Sequence, residues 1–344
     1  MALISRFKET HPNAFYLDGN DLPGLTEYLL TQGWLTPKHS IRCATKAGEG
    51  NMNKVLRVQL SDLESFIIKQ SRPWVEKFPD IPAPADRANI EGLFYRETGK
   101  NSTIAAFSPA LLHEDAESHI LIVEDLGVGS DLTYLYRDGN TLEEGTLANL
   151  LHYLSALHKN FTRQQCAFSI ENRGMRELNA EHIFRFPFNA DNGLNLDDIT
   201  PGLAELGRQT REDSALMKQI AALELRYLQN GNTLLHGDFY PGSMIHTDEG
   251  IKVIDAEFCF FGDAEFDLGV LQAHLLMARQ PESTLAAIPR LYEKPAGFSE
   301  TLYQQYTGIE IIRRLLGLAQ LPIQLDLAEK EALLENARAM LAGH

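Results

Sequence analysis

The first third of the chain contains short apolar runs bounded by polar or turn-forming residues, a pattern that predicts β-strands. The predicted strands are Ile41–Lys46, Lys54–Leu60, Ser65–Gln70, Ile104–Phe107 and His119–Val123. Apolar residues at helical spacing predict two helices in the same region, one over Asp21–Gln32 and a longer one over Pro84–Thr98. This region is therefore predicted to be a sheet-rich lobe with one long helix.

After the segment Glu124–Gly127 the pattern changes to long stretches of helical periodicity. The predicted helices are Glu143–Lys159, Glu171–Phe184, Gly202–Gln229, Asp267–Arg279, Glu300–Gln320 and Leu327–Ala342. Short strands are predicted around Leu234 and over Ile251–Ile254. The sequence thus predicts an α+β protein with a sheet lobe at residues 1–124, a hinge at about 124–130 and a larger, mostly helical lobe at 131–344.

Composition and charge narrow the class of protein. The chain has 344 residues, of which 44% are apolar, and a formal net charge of −16. An acidic chain argues against nucleic acid and anionic membranes as partners, but a nucleotide can still be held by local basic residues and a metal. Cys43, Cys166 and Cys259 are too far apart to suggest a disulfide framework or a metal site. No apolar run predicts a signal peptide or a membrane span, so we expect a cytoplasmic protein.

Two apolar strands that each end in a carboxylate carry the strongest chemical signal. The stretch LLHGDFYPGSMI delivers Asp238, and the stretch VIDAEF delivers Asp255 and Glu257. Phosphoryl transfer needs one carboxylate to orient the attacking hydroxyl and others to hold Mg²⁺ on the phosphates. The alternative is a pair of surface turns capped by aspartate, but the further motif FDLG at Phe266–Gly269 favours phosphoryl transfer.

A glycine-rich turn and a strand lysine form a second group of candidates. The turn Gly48–Asn53 lies between two predicted strands, and small residues there let backbone N–H groups approach phosphates. Lys69 ends the next strand, and Glu91 in the following helix is its natural ion-pair partner. Taken alone, the turn is equally typical of an ordinary hairpin, Lys69 of a charge at a strand end, and Glu91 of a surface glutamate.

Taken in order, these motifs resemble the aminoglycoside phosphotransferase and choline kinase superfamily, and within it the 5-methylthioribose kinase family. The resemblance lies in the stretches GEGNMNKVLRV, IIKQSRPWV, DRANIE, HGDFYPGS and IDAEFCFFGDAEFDLG, and in a late pair of arginines, IIRRLLG. It covers residues 48 to about 320 and implies a protein-kinase-like bilobal fold, with residues 1–124 as the nucleotide-binding lobe.

The resemblance also implies roles for individual residues. Asp238 is the implied base, Asp255, Glu257 and Ser243 the metal site, and Arg313 with Arg314 part of a sugar pocket. The implied nucleotide-binding residues are Gly48, Gly50, Asn51, Asn53, Lys69, Glu91, Glu124 and Leu126, the last two from a hinge beside the adenine. His236 and Asp267 are expected to brace the catalytic loop rather than contact substrate.

The chain departs from the resembling families at three places. Ser243 stands where most of the superfamily has asparagine, and a hydroxyl is a poorer Mg²⁺ ligand than an amide oxygen. We therefore hypothesise that Glu257 compensates at the metal site. The catalytic loop reads Phe-Tyr-Pro where the methylthioribose kinases commonly read Leu-His-Thr, and residues Asn172–Asn195 match nothing in the family.

The pair Arg313 and Arg314 also has an alternative interpretation, as two cations that the helix dipole favours near a helix C-terminus.

Three functions are compatible with these motifs. The first is an ATP- and Mg²⁺-dependent kinase that phosphorylates a hydroxyl of methylthioribose or a related pentose. The second is a kinase of the same fold for an aminoglycoside or an amino alcohol, although Arg313 and Arg314 would repel a cationic acceptor. The third is a nucleotide-binding pseudokinase or regulatory module, which the presence of Lys69, Asp238 and Asp255 disfavours. The expected partner is a small hydroxyl acceptor, with neither nucleic acid nor membrane, and a homodimer is possible.

Overall fold

The computed structural model describes residues 2–48, 50 and 52–343. The chain divides into two compact units, Met1–Val128 and Gly129–His344. In the described ranges, no helix has both the length and the apolar character needed to cross a membrane.

The first unit is built on a five-stranded antiparallel sheet with the strand order β1-β2-β3-β7-β6. Its strands are β1 Ile41–Lys46, β2 Lys54–Leu60, β3 Ser65–Gln70, β4 Trp74–Val75, β5 Phe78–Pro82, β6 Leu111–Asp115 and β7 Ile120–Glu124. Its helices are α1 Ala2–Thr10, α2 Leu22–Thr31, α3 Arg87–Thr98 and α4 Ser102–Phe107. Strands β4 and β5 form a separate two-stranded ribbon.

Alternation of side chains across the sheet creates the core of this unit. Leu56 on β2 lies opposite Ile68 on β3, and Ile68 lies opposite Ile122 on β7, so the three side chains share one face. That face packs against Leu25 and Leu29 of α2. Helix α2 begins where the Asp21 side chain accepts the backbone N–H of Gly24.

Most predictions for the first unit are confirmed. Strands β1, β2 and β3 have the predicted bounds, and α2 and α3 lie within the predicted helices. The predicted strand Ile104–Phe107 is wrong, because these residues belong to α4. The Asn101 side chain accepts the N–H groups of Thr103 and Ile104, which starts a helix at this point. Helix α1 and strands β4, β5 and β6 were not predicted.

The second unit is mostly helical. Its helices are α5 Glu144–Asn160, α6 Arg173–Ala180, α7 Leu203–Glu212, α8 Ser214–Tyr227, α9 Ala264–Met277, α10 Glu282–Leu291, α11 Glu300–Leu316 and α12 Leu327–Ala342. Its short strands are β8 Ser130–Asp131, β9 Thr233–Leu235, β10 Met244–Thr247, β11 Gly250–Val253 and β12 Phe260–Gly262. Helices α9 and α11 are buried along most of their length and pack against each other at the centre of the core.

The α+β fold class, with an N-terminal antiparallel sheet and a helical remainder, is confirmed. One helix prediction in the second unit is wrong: Gly202–Gln229 is two helices, α7 and α8, rather than one. Asp213 leaves the helical conformation, with φ −73° and ψ 95°, and its carboxylate accepts the N–H groups of Ala215 and Leu216. It therefore ends the first helix and caps the second. The predicted helix Glu171–Phe184 consists of α6 and a π-helical turn, Glu181–Arg185.

Candidate active site

The loop that carries Asp238 follows β9, which pairs antiparallel with β12. Asp267 on α9 accepts the backbone N–H groups of His236 at 2.7 Å and Gly237 at 2.9 Å. The His236 ring bonds the Ile254 carbonyl oxygen through Nε2 at 2.9 Å and faces the Asp238 N–H at 3.3 Å through Nδ1. The prediction that His236 and Asp267 brace this loop is confirmed.

Gly237 lets this loop touch the following acidic turn. Its φ is +84°, and a Cβ atom there would overlap the carbonyl oxygen of Phe258. Together with the bond from His236 to Ile254, this close approach places the Asp238 loop beside the turn that carries Asp255 and Glu257. Two carboxylate-bearing segments that are far apart in the chain therefore meet.

The predicted metal residues lie at one end of a β-hairpin. Strands β10 and β11 pair with Met244 opposite Val253, and the Ile254 N–H donates to the Ser243 carbonyl oxygen at 2.9 Å. Ser243 and Asp255 thus flank the same hairpin end, and Glu257 follows in a buried 3-10 turn. Across residues 2–48, 50 and 52–343, no group of three or more His, Cys, Asp or Glu side chains is arranged to hold a metal. Mg²⁺ is commonly held by one or two carboxylates plus substrate phosphates. The oxygen atoms of Asp255, Glu257 and Ser243 therefore fit Mg²⁺.

Arg313 and Arg314 are buried inside the second unit, with side chains only 9% and 7% exposed. Both pair with Glu310, one turn earlier on α11: Arg313 Nη1 lies 3.0 Å from Oε2 and Arg314 Nε lies 2.6 Å from Oε1. Both lie in the last turn of α11, where the helix dipole also favours cations, but they are buried and ion-paired. Burial opposes the charge of Arg314, but Glu310 and Asp238 raise its pKa above the ordinary value.

Arg314 also faces the predicted catalytic carboxylate. Its Nη2 lies 3.7 Å from Asp238 Oδ1, and its guanidinium lies over the Tyr240 ring, 5.1 Å from the ring centroid. The Asp238 side chain is 23% exposed, so it remains open to a ligand. Burial raises the pKa of Asp238, while Arg314 and Arg313 oppose that rise. The structure thus brings Arg314 and Arg313 close to the Asp238 carboxylate.

The predicted nucleotide residues of the first unit fall into two groups. Lys69 Nζ lies 2.8 Å from Glu91 Oε1 with both side chains buried, so the predicted ion pair is confirmed. Asn53 is buried and its amide oxygen accepts a hydrogen bond from Arg87 Nε at 2.8 Å, which fixes the end of the glycine-rich turn. Gly48 has φ +71°, and apart from the adjoining residues no described residue comes within 4 Å of a Cβ atom placed at Gly48 or Gly50.

Three further nucleotide predictions remain. Asn51 lies outside the described residues. Glu124 ends β7 with its side chain exposed and accepts the Ala110 N–H, and Leu126 is half-buried just beyond the strand. Their binding roles stay predictions.

Several residues around the site were missed by sequence reasoning. His274 on α9, Tyr136 and Glu310 connect to Arg314 through hydrogen bonds. His182, on the π-helical turn that packs against α11, lies close enough to Arg313 and Arg314 for their charges to lower its pKa, although burial is the larger cause. For Glu310 a signal existed, since glutamate three and four residues before two arginines predicts helical ion pairs. For the others no local pattern pointed to the site.

The chain can now be placed in a family. A model of the phosphotransferase enzyme family matches residues 46–306, so the chain belongs to that family. It is a small-molecule kinase with a hydroxyl group as acceptor, which confirms the enzymatic prediction over the regulatory module.

Its relatives carry a more specific name. The methylthioribose kinase of Exiguobacterium sibiricum is 28% identical over 344 residues, covering 87% of this chain and 85% of that protein. The methylthioribose kinase of Yersinia enterocolitica is also 28% identical, covering 89% and 88%. The family resemblance inferred from the motifs is therefore confirmed.

Solved structures support the fold. The crystal structure of LicA in complex with AMP matches with a TM-score of 0.53 and 14% identity, covering 92% of this chain and 96% of that one. The choline kinase LicA from Streptococcus pneumoniae matches with a TM-score of 0.52 and 12% identity, covering 93% and 98%. At this identity the likeness concerns the fold alone.

Proposed function

We propose that this protein transfers the γ-phosphate of ATP to a hydroxyl of a neutral sugar, methylthioribose or a related pentose. Relatives named methylthioribose kinase, similar over most of the chain, support the substrate class. The observation that carries the proposal is the arrangement of charges around Asp238.

Charge balance favours a neutral acceptor. Two buried cations, Arg313 and Arg314, face two carboxylates, Glu310 and Asp238, so the four charges cancel. The Tyr240 ring face, which could have bound a cationic ammonium group, is already covered by Arg314. An amino alcohol or aminoglycoside would therefore meet a guanidinium rather than an open aromatic face. Sugar hydroxyls can instead accept hydrogen bonds from arginine and donate to a carboxylate.

Asp238 is the proposed base. A new bond forms between the acceptor hydroxyl oxygen and the γ-phosphorus, the bond from that phosphorus to the β-phosphate oxygen breaks, and Asp238 accepts the hydroxyl proton. Its partial burial and raised pKa suit a group that must take up a proton near neutral pH. Arg314 keeps the carboxylate charged until then.

The remaining proposed roles concern ATP and its metal. Asp255 and Glu257, with Ser243, would hold Mg²⁺, which when bound neutralises phosphate charge. In the first unit, Lys69 held by Glu91 would contact the phosphates.

A second set of nucleotide contacts is proposed for the first unit. The glycine-rich turn would cover the phosphates, and Glu124 and Leu126 would lie beside the adenine. These assignments extend the roles implied by the family resemblance.

An acceptor panel tests the proposal. The purified protein is incubated with ATP, Mg²⁺ and either methylthioribose, other pentoses, choline, homoserine or an aminoglycoside, and ADP release is measured. We expect turnover with methylthioribose or a related pentose and none with the cationic acceptors. Asp238→Asn should retain ATP binding by calorimetry but lose roughly 10²- to 10⁴-fold in kcat. Efficient phosphorylation of choline, or full activity of Asp238→Asn, would refute the proposal.

A further inference from the structure

A continuous chain of polar contacts leads from the interior of the second unit to Asp238. Tyr136 Oη lies 2.6 Å from His274 Nδ1, and His274 Nε2 lies 3.1 Å from Glu310 Oε1. The same Oε1 accepts from Arg314 Nε at 2.6 Å, and Arg314 Nη2 faces Asp238 at 3.7 Å. All members except Asp238 are buried.

The protons of this chain can be assigned from chemistry. Burial favours the neutral acid, but Arg313 and Arg314 outweigh it and hold the pKa of Glu310 well below its ordinary value. Glu310 is therefore a carboxylate that only accepts hydrogen bonds, and His274 Nε2 must donate to it. Burial lowers the pKa of His274 to about 4, so the ring is neutral and its Nδ1 accepts from the Tyr136 hydroxyl.

Glu310 accepts hydrogen bonds from three buried donors. Its two oxygens accept from His274, Arg314 and Arg313. Because Arg314 uses Nε for this bond, its Nη2 is left to face Asp238. The plane of the guanidinium is thus fixed by a group that does not itself reach the catalytic carboxylate.

We propose that Glu310 and His274 are positioning residues for phosphoryl transfer, which hold the Arg314 guanidinium in one orientation beside Asp238. Tyr136 fixes the His274 ring from the other side. This inference rests on the proposed function, because it takes Asp238 as the base. Its consequence is that Glu310 acts on catalysis through Arg314 and not independently of it.

A double-mutant cycle tests this dependence. We expect Glu310→Gln and Arg314→Lys each to lower kcat/KM for the acceptor on the order of 10²-fold, with the KM for ATP little changed. Because the two residues act as one unit, the double variant should be no slower than the slower single variant. Glu335→Gln, an exposed glutamate on α12, is the matched control and should leave activity unchanged.

The pH profile gives a readout that a merely structural defect would not produce. Several charged and titratable groups face Asp238. They are Arg313, Arg314, Glu310, His236, Tyr136, Tyr227 and Tyr240. If Glu310 holds Arg314 in place, Glu310→Gln releases the cation from Asp238, raises the pKa of Asp238 and moves the acid limb of kcat/KM to higher pH, as Arg314→Ala should. Loss of the Glu310 charge with Arg314 still in place would instead move that limb to lower pH.

Each outcome decides between the two proposals. Multiplicative losses in the double variant, or an acid limb that moves to lower pH in Glu310→Gln, would overturn the positioning roles. An inactive Asp238→Asn would still leave the proposed function intact. An active Asp238→Asn would instead refute the function itself. If Glu310→Gln fails to fold, Tyr136→Phe replaces it in the cycle, with a smaller loss that should vanish in the Arg314→Lys background.

Discussion

Asp255, a proposed metal ligand, has an unusual backbone conformation. Its backbone lies in the left-handed region, with φ 63° and ψ 50°, which costs most L-residues roughly 1–2 kcal/mol. Aspartate tolerates this conformation better than most side chains, and here it bends the chain immediately after β11. The bend brings Asp255 and then Glu257 to the hairpin end shared with Ser243. The local cost is consistent with a role in binding rather than in stability.

The separate contributions of Glu257 and Ser243 to metal affinity can be measured. If Glu257 compensates for the poor ligand at Ser243, Glu257→Ala should weaken binding of Mg²⁺ or Mn²⁺ in the presence of ADP about 10-fold or more, because an anionic ligand is lost. Ser243→Ala should change it less than about 3-fold, because a neutral hydroxyl contributes little. Calorimetry and Mn²⁺ electron paramagnetic resonance give the affinity independently of turnover. Equal losses in the two variants would remove the compensation hypothesis.

At the scale of elements, the site depends on how α9 supports a loop that has no regular structure. Asp267 is fully buried and accepts from two consecutive backbone N–H groups, those of His236 and Gly237. His158 on α5 lies 3.2 Å from the same carboxylate and 2.7 Å from the Tyr292 hydroxyl. A buried loop needs such side-chain partners because no neighbouring strand satisfies its backbone.

Asp267→Asn should therefore destabilise the second unit. The amide keeps one acceptor oxygen but turns an NH₂ group toward backbone donors, and each lost bond to a charged group is worth about 1.5–3 kcal/mol. We expect the urea midpoint of this unit to fall and kcat to drop with it. Asp248→Asn, in the exposed turn between β10 and β11, is the control and should be neutral. An unchanged midpoint for Asp267→Asn would mean that the loop is held by other contacts.

Element prediction succeeded where the local pattern and the tertiary environment agree. Strand β2 alternates between buried and half-buried positions, and this periodicity is visible in the sequence. Strand β3 is a short apolar run that ends in three consecutive buried residues, a pattern that also predicts a strand. It failed at Ile104–Phe107, where a short apolar run is ambiguous and the cap from Asn101 decided for helix. It also missed the break at Asp213, because aspartate can end one helix and begin another without glycine or proline.

Sequence reasoning named candidate residues inside contiguous motifs and missed those that reach the Asp238 loop from elsewhere in the chain. The carboxylates of the HGD and IDAEF stretches and the pair Lys69–Glu91 were all identified from the sequence. Tyr136 and His274 were not, since they are 138 residues apart and meet only through tertiary packing. A buried hydrogen-bond network of this kind leaves no periodic signal in the sequence.

At the scale of the whole molecule, the residues proposed to bind ATP and its metal are divided between the two compact units. The first unit holds the buried pair Lys69–Glu91, and the second holds Asp238 and Asp255. Lys69, like Arg313 and Arg314, is a buried cation paired with a glutamate in a protein of net charge −16. We therefore expect variants in the first unit to change ATP binding and variants in the second unit to change turnover.

Variants on the two units should separate nucleotide binding from turnover. If Lys69 binds the phosphates as proposed, Lys69→Ala removes a charge-assisted bond worth about 1.5–3 kcal/mol, so the KM for ATP should rise about 10- to 100-fold with the acceptor KM little changed. Asp238→Asn should do the reverse, keeping ATP affinity and losing kcat. Because Lys69→Ala also leaves the Glu91 charge buried without its cation, Lys69→Arg serves as the charge-conserving control, and it should fold normally while still weakening ATP. An unchanged KM for ATP in a folded Lys69→Ala would show that the phosphates are held by other residues, and the role proposed for the first unit would fall.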